Sequence, residues 1–138
     1  MRRPVTALAA ATAKTVLQIN APANQRVKVT RIGIFFDGAS TTAVPVFIRL
    51  VVATTAGTNT ALTLNKIVSS DSETIQTTAG ENASAEPTKT TLLDEWYIHP
   101  QQGGDFTLAM GQEFWCLGGQ RLALECTAPA VVNVRAKI

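Results

Sequence analysis

One histidine, two cysteines, two methionines and a single tyrosine are spread over 138 residues, and charged residues make up only 16%. Each scarcity excludes a class of chemistry. With His99 alone, no metal centre can be built from several imidazoles, and a mixed site would need Cys116, Cys126 and His99 to converge in space. Two cysteines are too few for a disulfide framework, and nine intervening residues match no metal or redox motif, so both read as small apolar core residues. Low charge against the usual quarter or so implies a surface of small polar groups, part of which a partner can cover. No apolar run approaches the roughly 20 residues of a membrane helix. The Met-Arg-Arg start and the Ala- and Thr-rich stretch to Ala13 lack the Leu- or Val-rich segment of a signal peptide. They are expected to form a flexible N-terminal arm over residues 1–14.

What the chain does contain is twenty alanines and nineteen threonines, with few Lys, Glu and Leu. That is not helical-bundle composition. Thr and Val are stiff at the β-carbon and fit a pleated, half-buried surface. Strand patterns recur with turn signals between them. Thr15–Asn20 alternates, and 26–37 is one long run whose apolar parity changes near Thr30–Arg31, where a bulge would keep both sets inside. Asp37-Gly38 then supplies a turn. The run 46–52 is apolar on both faces, and 61–67 and 90–99 are further strands, with short runs at 105–109 and 113–117. Arg121–Thr127 and Val131–Ile138, joined by Ala128-Pro129, form the clearest pattern and predict an antiparallel hairpin. In it Leu122, Leu124 and Cys126 face inward and Ala123 and Glu125 outward. Residues 68–91 are polar, a length that is unusual inside a compact domain, with a short strand expected over 73–78. About eight short strands and no helical period predict an all-β fold. The expected architecture is an antiparallel β-sandwich or jelly roll over 15–138 as a single domain.

No catalytic set can be named. His99 stands at a strand end beside Pro100, neither cysteine lies in a nucleophile motif, and Asp94 and Glu95 point to opposite faces of a strand. Asp37, Asp71, Glu73 and Asp105 lack the spacing of a calcium loop, and no lysine follows the glycine pairs at 103–104 and 118–119 as a phosphate loop would require. The expectation is a non-enzymatic protein without catalytic, metal or cofactor residues, and with no small-molecule substrate. Charge is nevertheless segregated: residues 1–31 carry six bases and no acid, and 71–113 carry eight acids against Lys89 alone. Arg26, Lys28 and Arg31 share no parity and no aromatic pair is interleaved with them, which argues against nucleic-acid binding. Trp96, Tyr97 and Trp115 are candidates for a sugar-binding surface or an oligomer contact, with core packing the favoured reading of the two tryptophans.

Three segments together give the chain its family likeness: KTVLQINAPANQRVKVTRIGIFFDGAST (14–41), TAVPVFIRL (42–50) and GGQRLALECTAPAVVNVRAKI (118–138). In order and style the sequence resembles the capsid decoration (cement) proteins of tailed bacteriophages and related phage structural proteins. The resemblance implies a sandwich or jelly-roll module, trimeric, that sits on the virion's capsid surface, binds the major capsid protein and is assembled in the host cytoplasm. Arg2, Arg3 and Lys14 are then expected to steer the arm to an acidic acceptor, with Trp96 and Tyr97 as further partner contacts. The alternative is a carbohydrate- or receptor-binding β-sandwich of a phage tail or tail fibre, which requires an exposed aromatic shelf at Trp96 or Tyr97.

Overall fold

The computed structural model describes residues 5–37 and 44–138. Arg2, Arg3 and the expected turn at Gly38 lie outside the described residues. Within them the chain is all-β, with twelve strands and no helix. In order these are β1 (Thr6–Leu8), β2 (Ala13–Asn20), β3 (Val27–Val29), β4 (Arg31–Asp37), β5 (Val46–Ala53) and β6 (Thr58–Leu62). The second half comprises β7 (Thr78–Ala85), β8 (Lys89–Ile98), β9 (Gly104–Thr107), β10 (Phe114–Cys116), β11 (Arg121–Thr127) and β12 (Val132–Lys137).

Every strand pairing is antiparallel, and six of them are nested. The first strand pairs with the twelfth, β2 with β11, β3 with β10, β4 with β9, β5 with β8, and β6 with β7. The two halves of the chain therefore run as one long hairpin whose tip is the 63–77 connection. Three more pairings, β4 with β12, β2 with β7 and β5 with β11, wind this hairpin up. The products are a six-stranded sheet, β6-β7-β2-β11-β5-β8, a four-stranded sheet, β1-β12-β4-β9, and the short β3-β10 ribbon.

One sandwich-like apolar core joins these sheets. Ile48, Leu50, Leu122, Leu124, Leu17 and Ile19 come from the six-stranded sheet, and Leu8, Ile32, Ile34, Val132 and Val134 from the four-stranded one. Trp96 on β8 stacks on Phe106 of β9 with centroids 5.5 Å apart, tying the sheets together along one side. The register of β2 against β11 slips between Leu124 and Glu125. That extra residue lets Val16 and Leu17, neighbours in sequence, both be buried.

The structure departs from the sequence expectations in four places. First, β11 and β12 do not form a hairpin: β11 pairs with β2 and β5, and β12 with β1 and β4 in the other sheet. Alternation specifies which face of a strand is buried, and both strands satisfy it, but it does not choose the partner. Second, the run 26–37 is divided rather than bulged. Thr30 separates β3 from β4, which pair in different sheets, and its carbonyl accepts a hydrogen bond from the Leu108 amide at 2.8 Å. Third, the described strands number twelve rather than about eight, several of them only three residues long. No strand covers 63–77, so those expected over 61–67 and 73–78 are absent apart from their ends. Fourth, the arm expected over 1–14 belongs to the fold from Thr6. The β1 strand pairs with β12, and Leu8 is 1% exposed. A short segment with two alternate buried side chains, Thr6 and Leu8, has a strand's pattern that an Ala-rich context hides.

The burial of Leu8 makes its truncation costly. Leu8→Ala is expected to lower stability by about 2–4 kcal/mol, read as a lower urea midpoint at unchanged slope. A loss within experimental error would mean that β1 is not held against the core.

Candidate interaction surfaces

The outer face of the six-stranded sheet carries a cluster of polar and aromatic side chains. Strand register arranges it in rows. Ala13, Thr127, Phe47 and Tyr97 form one row, Thr15, Glu125, Arg49 and Glu95 the next, and Gln18, Ala123, Val51 and Leu92 a third. In the first row Tyr97 is 71% exposed and stacks on Phe47, with centroids 4.8 Å apart and an interplanar angle of 30°. The Arg49 guanidinium lies 5.8 Å from the Phe47 ring centre. Tyr97 therefore presents an open ring face braced from beneath, beside charged groups.

In the second and third rows the chain itself covers the side chains on β2 and β11, while Glu95 and Leu92 on β8 stay exposed. Residues 86–88 cross from β2 to the end of β5, passing over β11. At one end the Glu86 carboxylate accepts the Thr15 amide at 2.9 Å and its hydroxyl at 2.5 Å. At the other end Thr54 donates its amide to the Thr88 carbonyl at 2.9 Å, and the Thr88 amide bonds the Thr55 hydroxyl at 2.8 Å. Pro87 between them is buried. Gly57, at φ +62, sits where a β-carbon would come within 2.3 Å of the Ala85 carbonyl oxygen, so the strap packs directly on backbone there. Beneath this strap Ala123 and Glu125 are buried, although both face away from the core.

Glu125, 1% exposed, forms ion pairs with both Arg49 and Lys89. Lys89 also reaches Glu86 at 2.9 Å, so one ammonium fastens the strap to the buried carboxylate. Two partners are what a carboxylate taken out of water requires. Partial burial pushes the Glu86 carboxyl up, but the Thr15 hydrogen bonds and the Lys89 ammonium outweigh it and hold the group below the ordinary 4.5.

The other residues singled out from the sequence fall apart from this cluster and from one another. Trp96 is partly buried against the core, as favoured for it, and so does not share Tyr97's face. Lys14 is half-buried on β2, in register with Cys126. Trp115, by contrast, is not a core residue. It stands 51% exposed on the β3-β10 ribbon, in register with Lys28, whose ammonium lies 5.6 Å from its ring. Lys28 also pairs with Glu113 at 3.1 Å. Both neighbours of Trp115, Phe114 and Cys116, turn inward, and that alternation was the available signal for its exposure.

On the opposite side of the molecule, the outer face of the four-stranded sheet is a compensated ionic surface. Asp105 binds Arg31 and Lys137, and Asp37 binds Arg135 at 2.8 Å. The hydrogen bonds from Arg31 and Lys137 hold the Asp105 carboxyl well below the usual carboxylate range. His99 caps a turn locally, its Nδ1 accepting the Gln101 amide at 3.2 Å. Both cysteines are free and buried, and burial raises their thiol pKa values, Cys126 to about 12. Among the described residues no three His, Cys, Asp or Glu side chains gather as a metal site would need. Comparison of the chain with protein-family models, with curated proteins and with solved structures found no match in any of the three.

Glu125→Gln leaves Arg49 and Lys89 facing a neutral amide under the strap. It is expected to cost about 2–3 kcal/mol, the lower side for a buried pair because both cations keep some solvent, measured by urea unfolding; no loss would deny the cluster a structural role. The depressed Glu86 pKa implies a stabilisation present above 4.5 and lost as pH falls through the lower folded value. The Thr15 amide resonance should therefore titrate with a midpoint below 4.5, and Glu86→Gln should abolish that transition.

Proposed function

We propose that the chain is a non-enzymatic structural protein of a phage virion, a decoration protein that binds the outer surface of the head as an oligomer. We read the nested pairing of β1–β12 through β6–β7 as a jelly roll, the architecture that the resemblance to cement proteins implies. The single observation that carries the proposal is the outer face of the six-stranded sheet, where Tyr97 stands braced on Phe47 beside Arg49 and Glu95. Exposed aromatic anchors with a charged rim are what protein contacts use. A sheet face is flat and can be repeated in each subunit of a trimer. Several modest contacts to the major capsid protein then sum to firm attachment, without a large interface per subunit. In this reading Arg2, Arg3 and Lys14 add long-range attraction to an acidic acceptor.

The Tyr97 shelf also favours a second reading, a carbohydrate- or receptor-binding module of a phage tail or tail fibre. A sugar ring stacks on an open aromatic face, and the neighbouring carboxylate and guanidinium supply hydrogen-bond partners. Trp96, turned to the core, contributes nothing to such a shelf.

Co-sedimentation with undecorated heads, together with glycan-array binding, separates the two. Tyr97→Ala and the triple Arg2→Ala, Arg3→Ala, Lys14→Ala are each expected to weaken head binding at least about tenfold, equal to ~1.4 kcal/mol, with the fold unchanged. A monomer in solution that does not associate with heads would overturn the decoration reading. Tyr97-dependent binding to a glycan would establish the second.

A further inference from the structure

A pocket of about 80 Å³ lies between the two main sheets, where β6, β7 and β2 face the end of β12. Leu17, Ile19, Leu62, Leu64, Ala79 and Ile138 form its apolar wall, and Thr6 adds a polar side chain. Into this setting β7 brings one carboxylate. Glu81 is in register with Leu17 on β2 and with Thr60 on β6, and so lies on the same, inward face as Leu17. Glu81 has no hydrogen-bond or ion-pair partner among the described residues, and withdrawal from water holds its carboxyl above the ordinary value. Lys137 also lines the pocket, but its ammonium is committed elsewhere: it binds Asp105 and lies 5.2 Å from the Phe35 ring, on the outer face of the four-stranded sheet.

Glu81 is half-buried and keeps some access to water, yet it stands unpaired at an inward position, whereas every other buried or half-buried acid described above has a cation or donor. An inward charge near a sheet edge can serve to discourage aggregation, but that role requires no apolar pocket beside it. The two features together specify a ligand with an apolar chain and a cationic end. Size narrows it further, because the volume is roughly half that of the ~150 Å³ cavity known to take up benzene. The apolar part of the ligand is therefore short.

We propose that this pocket binds a short-chain primary alkylammonium, its methylene chain among Leu17, Leu62 and Ile138 and its ammonium on the Glu81 carboxylate. A lysine side chain of a partner and a free short amine both carry this group. The site stands independently of the virion reading, since it lies between the sheets rather than on the Tyr97 face.

The test is a methyl-resonance NMR titration of the whole chain with n-butylamine, with Nα-acetyl-lysine methylamide, and with n-butanol as the uncharged control. Saturable shifts confined to Leu17, Leu62, Leu64 and Ile138 are expected with at least one of the two ammonium probes. Binding by the blocked lysine would identify a protein partner's side chain as the source, and binding by butylamine alone a small molecule. Glu81→Gln, which removes an unpaired charge and is expected to fold, should weaken ammonium binding about tenfold, as loss of a charge-assisted bond requires. It should leave the response to butanol unchanged. Absence of saturable shifts with both amines would overturn the proposal, as would equal affinity in Glu81→Gln or butanol binding as tightly as the amines.

Discussion

Each strand of the first half of the chain is answered by a strand of the second, in reverse order and always antiparallel. That pairing decides almost everything else about the molecule. Because β2 must meet β11 and β4 must meet β9, most hairpins between consecutive strands are ruled out, and β1 and β2, β4 and β5, β8 and β9, and β11 and β12 each lie in different sheets. Winding the paired halves then leaves β11 between β2 and β5, in the middle of the larger sheet. A central strand has no free edge, and here the 86–88 strap also removes water from its second face. This is why β11 is buried from Leu122 to Cys126 without interruption.

The cost of covering that second face appears in the side chains beneath the strap. An apolar residue at position 125 would have met the burial requirement, yet Glu125 stands there with Arg49 and Lys89 gathered around it. Buried ion pairs contribute little net stability compared with apolar packing, and their better-attested role is to specify one arrangement over others. Here the arrangement specified is the strap's: Lys89, at the start of β8, touches the carboxylates of both Glu86 and Glu125. Displacing β11 against β5 by one residue would turn Glu125 and Arg49 to opposite faces and break their pair. The polar row thus fixes alignment where Ala, Thr and Val, so similar in size, would fix it weakly.

Face and partner were unequally legible in the sequence. Alternation in 15–20, 46–52, 90–99, 121–127 and 131–138 predicts strands that the structure contains, and places Leu122, Leu124 and Cys126 on the core side. Pairing was not legible, because the apolar pattern of β12 is equally compatible with β11 and with β4. The polar stretch from 68 to 91 looked uniform but serves three ends: the hairpin's tip, the strand β7 and the strap. Its hydrophobic signal is weak because Ala79, Gly80 and Ala83, all buried, are small. Ala79 and Ala83 flank Glu81 at the same parity, and this is the one sign in the sequence that the carboxylate turns inward. Tyr97 was a candidate from the sequence and stands exposed. Apolar neighbours make Trp115 look like an interior residue, but Phe114 and Cys116 are the residues that point the other way.

Nesting has a further consequence, in time rather than in space. The β1–β12 pair joins the two ends of the described chain, and judged alone it demands the closure of a very long loop, of the kind that slows the folding of β proteins. Each outer pair, however, encloses all the inner ones. Once β6 has met β7, the ends of β5 and β8 are already close, and each pair that forms shortens the loop left for the next. The long-range topology thereby becomes a series of short closures running outward from the 63–77 tip, with the ionic strap joining as β8 docks on β5. An interruption near the tip would act on every later step, whereas the same change near β1 would act only on the last.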